Sequence, residues 1–195
     1  MKYWVIKPSG SSDAAYLSEV SSNMPRAKNF RKAISLKEEY PPVEDCKIYY
    51  DPQYPDGTQL YGFLDNINDF LIANGEVRKI FEELGATDIE YLPVWLCDHK
   101  HEISSKDYTI CNVLKSADVI DMDKSEYKMG SLDKTQIKLL TKLVIDYDAI
   151  PEDANVFRAS KMLAQIFIND NVKQALENAG IEGFSVVEAE GWNGL

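Results

Sequence analysis

The chain has 195 residues, 45% of them hydrophobic and 27% charged, which fits a soluble globular protein and excludes collagen-like, wholly disordered and disulfide-dense classes. Its formal net charge of −11 is unevenly held: residues 1–50 carry eight Lys/Arg against six Asp/Glu, and residues 51–195 carry thirteen against twenty-six. A field of that sign repels nucleic acid and anionic membrane and attracts basic partners, so neither nucleic acid nor membrane is an expected partner.

Residues 1–7 alternate and are rich in Tyr, Trp, Val and Ile, which predicts a first strand. They hold only a four-residue apolar run, too short for a signal peptide, and no uncharged apolar stretch reaches the roughly 18 residues of a membrane-spanning helix. A cytoplasmic protein is the expectation. Cys46, Cys97 and Cys111 agree with it, being odd in number, widely spaced and without a CxxC pair. Residues 8–23 are Ser-rich and read as loop, with one helical turn allowed at 14–20. Residues 24–40 are the most basic stretch (Arg26, Lys28, Arg31, Lys32, Lys37), but no aromatic stacking platform is interleaved with those charges. A solvated, irregular segment is expected there. A short strand follows at 47–50, and DPQYPDG at 51–57 is turn chemistry.

Two stretches then share one plan. Residues 71–94 and 166–189 each carry an apolar run, an Asn, an amphipathic segment, a Gly and a second apolar run, with Asn74/Asn169, Val77/Val172, Glu82/Glu177 and Gly85/Gly180 identical. Val77, Ile80, Phe81 and Leu84 fall at i, i+3, i+4 and i+7, one helical face, and Val172, Ala175, Leu176 and Ala179 do the same. Asn74 is placed as an N-cap, Gly85 and Gly180 as C-terminal stops. Between the two copies, strands are predicted at 89–96 and 108–114, with a short run at 118–123. An exposed loop is expected at 123–134, a strand at 137–145 (helix remaining open over 135–143), an acidic turn at 146–153 and a short strand at 156–159. The final residues, GWNGL, read as a loose tail. Strands interspersed with two helices predict an α+β fold with a mixed or antiparallel sheet and two similar strand–helix–strand units. The spacing leaves open whether each unit is a parallel crossover. The expected organisation is one compact domain with a variable part at 1–64 and an α+β region at 65–195.

Reactive chemistry is sparse. His99 and His101, with Asp98 and Glu102, are the only histidine cluster; a zinc site needs further ligands that neither a third His nor a Cys pair supplies, so a hydrophilic turn is the plainer reading. Cys97 and His99 would share one face of a strand, yet buried structural cysteine is the ordinary state. Asp118, Asp121, Asp123 and Glu126 fail as a calcium loop, because counting from either Asp118 or Asp121 puts neither Gly at the sixth position nor Glu at the twelfth. No GxSxG, phosphate-binding loop or dinucleotide fingerprint occurs. No catalytic residue, metal or cofactor is therefore expected.

Four stretches, in order, resemble a bacterial immunity protein family, the eleventh so numbered and once catalogued only as a domain of unknown function. They are Tyr91-Leu92-Pro93-Val94 after the first helix; Asp107-Tyr108 through Cys111-Asn112-Val113-Leu114 to Asp118, Asp121 and Lys124-Ser125-Glu126-Tyr127; Lys142-Leu143-Val144-Ile145-Asp146 through Ile150-Pro151 to Val156-Phe157-Arg158; and IFINDNVKQALENAGIEGFSVVEAE from residue 166. They begin after residue 64. The resemblance implies a cytosolic α+β protein encoded beside a toxin, which it neutralises by stoichiometric binding without catalysis. An acidic inhibitor suits a basic, nuclease-type toxin. Two loop patches are the expected contacts: Asp118, Asp121, Asp123 and Glu126, and Asp146, Asp148, Glu152 and Asp153. The rival classes are a metal-dependent hydrolase using Asp98, His99 and His101, and a structural or oligomeric subunit.

Overall fold

Apolar strands, several of them buried on both faces, build two sheets in the computed structural model, which describes residues 1–194. The first sheet contains β2 (Leu17–Val20), β3 (Lys47–Tyr50), β4 (Phe63–Leu64), β5 (Ile72–Asn74), β6 (Ile89–Cys97) and β7 (Ile103–Val113), in the order β2-β3-β6-β7-β5-β4. The second contains β1 (Tyr3–Pro8), β8 (Ser116–Ala117), β11 (Val156–Ala159), β12 (Met162–Asn169) and β13 (Phe184–Glu188), in the order β13-β1-β12-β11-β8. A separate antiparallel hairpin joins β9 (Glu126–Met129) to β10 (Ile137–Lys142). The fold is α+β, with mostly antiparallel pairing and parallel pairs at β3–β6 and β8–β11.

The two sequence repeats become two copies of one arrangement. In the first, β5 leads into α1 (Gly75–Glu83) and then β6; β5 and β6 each pair antiparallel with β7, so they run parallel with β7 between them. In the second, β12, α2 (Asp170–Asn178) and β13 repeat this, and the intervening strand is β1. Each unit is thus a split β–α–β. This settles the open crossover question: the strands are parallel but not neighbours. The middle strand follows at once in the first copy and comes from the chain start in the second. An outer antiparallel strand, β4 or β11, completes each copy.

Local chemistry fixes both helices alike. Asn74 Oδ1 accepts the Val77 N–H at 3.1 Å and Asn169 Oδ1 the Val172 N–H at 3.0 Å, each satisfying a donor the helix leaves free. Gly85 and Gly180 sit at φ 73° and 68°, the left-handed conformation that stops a helix at little cost. Val77 and Phe81 of α1 and Val172 and Leu176 of α2 are buried, and the helices pack on one another.

Three apolar clusters follow from this layout. Both helices share one with Ile6, Val156, Ile166 and Ile168 of the second sheet and Ala73, Ile89, Cys111 and Val113 of the first. The opposite face of the first sheet is covered by residues 24–36, which bury Met24, Phe30 and Leu36. The solvated segment expected there is therefore partly core; its buried Met24, Phe30 and Leu36 are six apart, too sparse to mark a helical or strand face. The opposite face of the second sheet is covered by the β9–β10 hairpin and by Trp192, only 3% exposed. Trp192 overturns the expectation of a loose tail as far as residue 194; Leu195 lies outside the described residues. The helical turn considered at 14–20 is instead strand β2, and the loop expected at 123–134 contains β9. Of the run expected at 118–123, only Ile120 makes a strand-like bridge, to Ile145.

One buried polar residue ties these layers together. Arg158, 3% exposed on β11, donates from Nε to the Val113 carbonyl at 2.9 Å, from Nη1 to Leu163 at 2.5 Å and from Nη2 to Phe30 at 2.9 Å. Burial, with help from nearby Arg31, lowers its pKa to about 10, so it remains a cation at neutral pH. Three carbonyls from three segments take the place of a carboxylate partner.

Candidate functional site

The two acidic loops meet because their flanking segments zip together. Asp121 N–H donates to the Val144 carbonyl at 3.0 Å and Asp146 N–H to that of Val119 at 2.9 Å, on either side of the Ile120–Ile145 bridge. Ser125 Oγ donates to the Val144 carbonyl and accepts the Val144 N–H at 2.9 Å, closing the β8–β9 loop against the same segment. Asp121 and Asp146 therefore lie side by side although 25 positions apart, and both bias Lys124 toward its charged form.

Each carboxylate then has a distinct environment. Asp121 Oδ1 accepts the N–H groups of Asp123 and Lys124 at 3.2 and 3.1 Å, and Oδ2 pairs with Lys124 Nζ at 2.7 Å. The Lys124 hydrogen bond holds its carboxyl below the ordinary aspartate range. Asp146 caps the 3₁₀ turn Tyr147–Ala149 by accepting the Asp148 N–H at 3.2 Å. Asp123 and Asp148 are exposed and carry no ion pair among the described residues. Asp118 lies apart, accepting from Ser160 Oγ at 3.0 Å. Asp153 pairs with the mostly buried Lys115 at 2.5 Å, and Asp88 holds the same lysine from 3.3 Å. That lysine's hydrogen bond keeps the Asp153 carboxyl below its usual range. Glu126, at the start of β9, and Glu152 are exposed. Of the eight predicted contact residues, the fold brings Asp121, Asp123 and Asp146 about Lys124, with Asp148 in the turn that Asp146 caps.

Sequence reasoning missed the aromatic residue that adjoins this cluster. Tyr147, between Asp146 and Asp148 in the chain, has 46% of its surface exposed and its ring 6.3 Å from that of Tyr3. Partial burial raises its hydroxyl pKa, Glu190 and Glu188 add to the effect, and Lys2 opposes it. Glu190 Oε2 accepts the Ile145 N–H at 3.0 Å, which brings the end of the second repeat into the same surface. Lys2 is the counter-ion of Glu188 at 3.0 Å. The aromatic letter inside DYDAIPED was the available signal; the approach of Glu188 and Glu190 is a tertiary event with none. A half-exposed tyrosine with Glu188 and Glu190 near its hydroxyl, adjoining the cluster of Asp121 and Asp146, has the chemistry of a protein-binding anchor: a rigid amphipathic ring with charges that select a basic partner.

The histidine segment is built for a turn. Asp98 Oδ1 accepts the N–H groups of Lys100 and Glu102 at 2.8 and 3.0 Å, and His101 takes a positive φ of 63°. His99 packs edge-on against Tyr50, while His101 lies 5.0 Å from Tyr49. Those neighbouring tyrosines point to opposite faces of β3, so the imidazoles diverge. Among the described residues, no group of three or more His, Cys, Asp or Glu is arranged to hold a metal ion. Burial raises the thiol pKa of Cys97, and that of Cys111 is pushed up to about 12, which leaves both protonated and unreactive at neutral pH. The geometry thus offers no support for hydrolysis centred on Asp98, His99 and His101.

No helix among the described residues is long and apolar enough to cross a membrane. No curated protein matches the chain. A family model described as the immunity protein family Imm11 matches residues 4–191, entering in β1, ending just beyond β13, and including residues 4–64, where the short sequence stretches gave no likeness. With nearly its whole length matched by that model, and with the α+β architecture those stretches implied, the chain belongs to the Imm11 immunity protein family.

Proposed function

We propose that this protein binds a cognate protein toxin in the cytosol of the producing cell and neutralises it stoichiometrically, without catalysis. The observation that carries this reading is the acidic surface where Asp121, Asp123 and Asp146 gather about Lys124, adjoining the half-exposed Tyr147 with Glu188 and Glu190 near its hydroxyl. Carboxylates speed encounter with a basic partner, and a desolvated tyrosine beside them slows its departure. A basic, nuclease-type toxin fits that field, because an acidic face imitates a run of phosphates. Three buried free cysteines suit a reducing compartment. The test is a titration of toxin activity, using the product of the adjacent gene. Inhibition that is complete at one equivalent supports the proposal; full toxin activity at several equivalents refutes it.

A further inference from the structure

A second aromatic surface, away from the Tyr147 face, surrounds a pocket of about 260 Å³ between the β1–β2 connection, the turn at residues 51–57 and the loop after β4. Gly10, Ala14 and Ala15 line it along with Tyr16, Tyr54 and Asp65. The two tyrosine rings meet edge-to-face at 5.4 Å, and Tyr54 is 54% exposed. Asp65 Oδ1 accepts the Asn66 N–H at 2.8 Å; the carboxylate has no ion pair among the described residues. Its neighbour Asp69 is already matched to Arg31 at 2.8 Å. Burial, partly offset by the Asn66 hydrogen bond and reinforced by Asp69, raises the Asp65 pKa. Tyr16 is raised too, by burial and then by Asp65, Tyr54, Asp51 and Asp69, so the surroundings are negative.

The walls are fixed before any ligand arrives. Ala15 N–H donates to the Gln59 carbonyl at 2.9 Å, Leu17 N–H to Asp65 at 3.0 Å and Asp51 N–H to Tyr16 at 2.8 Å. Asp13 is held by the Tyr61 hydroxyl at 3.1 Å and by Ser11. Gly57 lets the turn press inward, since a Cβ there would fall 2.5 Å from the Ala14 carbonyl oxygen. The result is a small, rigid recess with two π-systems on its wall and a carboxylate that lacks a cation. A planar guanidinium meets both requirements, stacking on tyrosine while donating to the carboxylate.

We propose that this pocket receives an arginine side chain presented by another protein. The inference does not rest on the toxin reading, because it is tested without toxin. The probes are N-acetyl-arginine amide, its neutral citrulline counterpart and free arginine, titrated into the full-length protein while backbone amide NMR shifts are followed. Saturable shifts confined to residues 10–16, 54 and 65 are expected with the capped arginine and none with the citrulline analogue. Asp65→Asn should weaken capped-arginine binding roughly tenfold or more with an unchanged melting temperature. Tyr54→Leu, at an exposed turn outside the core, should also weaken it and provides the test should Asp65→Asn fail to fold. Equal response to the citrulline analogue, or unaltered binding by both variants, overturns the proposal. So does tighter binding of free arginine than of the capped form, which would make this a site for a free amino acid.

Discussion

Tyr147 and Glu90 show how a single side chain carries either the proposed function or the fold. Tyr147 is half-exposed and contributes little to the core, so Tyr147→Ala should leave the melting temperature within experimental error. The same substitution should cost about 2 kcal/mol in toxin binding, roughly thirtyfold in Kd by calorimetry, as for an interface anchor. Unchanged affinity would move the contact surface elsewhere. Glu90, on β6, acts within the fold. Its carboxylate accepts from Ser35 Oγ, from the Leu36 N–H at 2.9 Å and from Asn112 Nδ2 at 3.0 Å, pinning residues 34–36 to the first sheet. Burial alone would raise its pKa; those hydrogen bonds and Lys37 outweigh burial and hold it below the usual glutamate value. A carboxyl depressed by folding stabilises fully above its unfolded pKa of about 4.3 and loses that contribution as pH falls through the folded value. Between about pH 5 and 3, Glu90→Gln should therefore flatten the acid decline of the melting temperature. A decline as steep as that of the parent would show that the Glu90 knot is unimportant. The acidic letters of the candidate face were legible one by one in the sequence. Their convergence was not, because the 118–121 and 143–146 segments meet across the intervening β9–β10 hairpin.

Among the elements, the helices were the most legible, because their signals are local: an Asn cap, apolar residues at helical spacing and a Gly stop within about a dozen positions. Their equivalence still hides a difference in environment. Asn169 is nearly fully buried and its Nδ2 donates to Asn155 Oδ1 at 2.6 Å, whereas Asn74 is half-buried and only caps. Asn74→Ala should cost about 1 kcal/mol and Asn169→Ala about 2 kcal/mol or more in denaturant unfolding, the larger loss leaving a polar partner stranded. Equal losses would mean that the Asn155 contact adds nothing. Strand β9 was less legible. Its EYKM letters do alternate, exposed then half-buried, but only over four residues inside a charged, Gly-containing stretch, and its pairing with β10 is broken by two register shifts. The 24–40 segment was misjudged for a related reason: Met24, Phe30 and Leu36 are buried individually, without a period that reveals their common face.

The whole molecule depends on its first strand. β1 lies between β12 and β13 and pairs with both, so the N-terminal residues occupy an interior position of the second sheet, the one that β7 takes in the first copy of the split unit. Deleting residues 1–8 would leave two unpaired strand edges and uncover both the cluster that holds Ile6 and the one that holds Val5. The truncated chain should lose cooperative unfolding by circular dichroism; a sharp transition near that of the full chain would contradict this topology. The repeats were readable, but the strand inserted in each was not, since that pairing joins residues more than 160 positions apart in the second copy. Charge is also a property of the whole, and it supports the proposed role most directly. The deciding measurement is the stopped-flow association rate of this protein with the product of the adjacent gene, the proposed toxin, as sodium chloride is raised from about 50 to about 500 mM. Steering by the acidic face predicts a rate that falls roughly tenfold or more across that range while the one-to-one endpoint persists. A rate indifferent to salt, or no association at any salt, would contradict it.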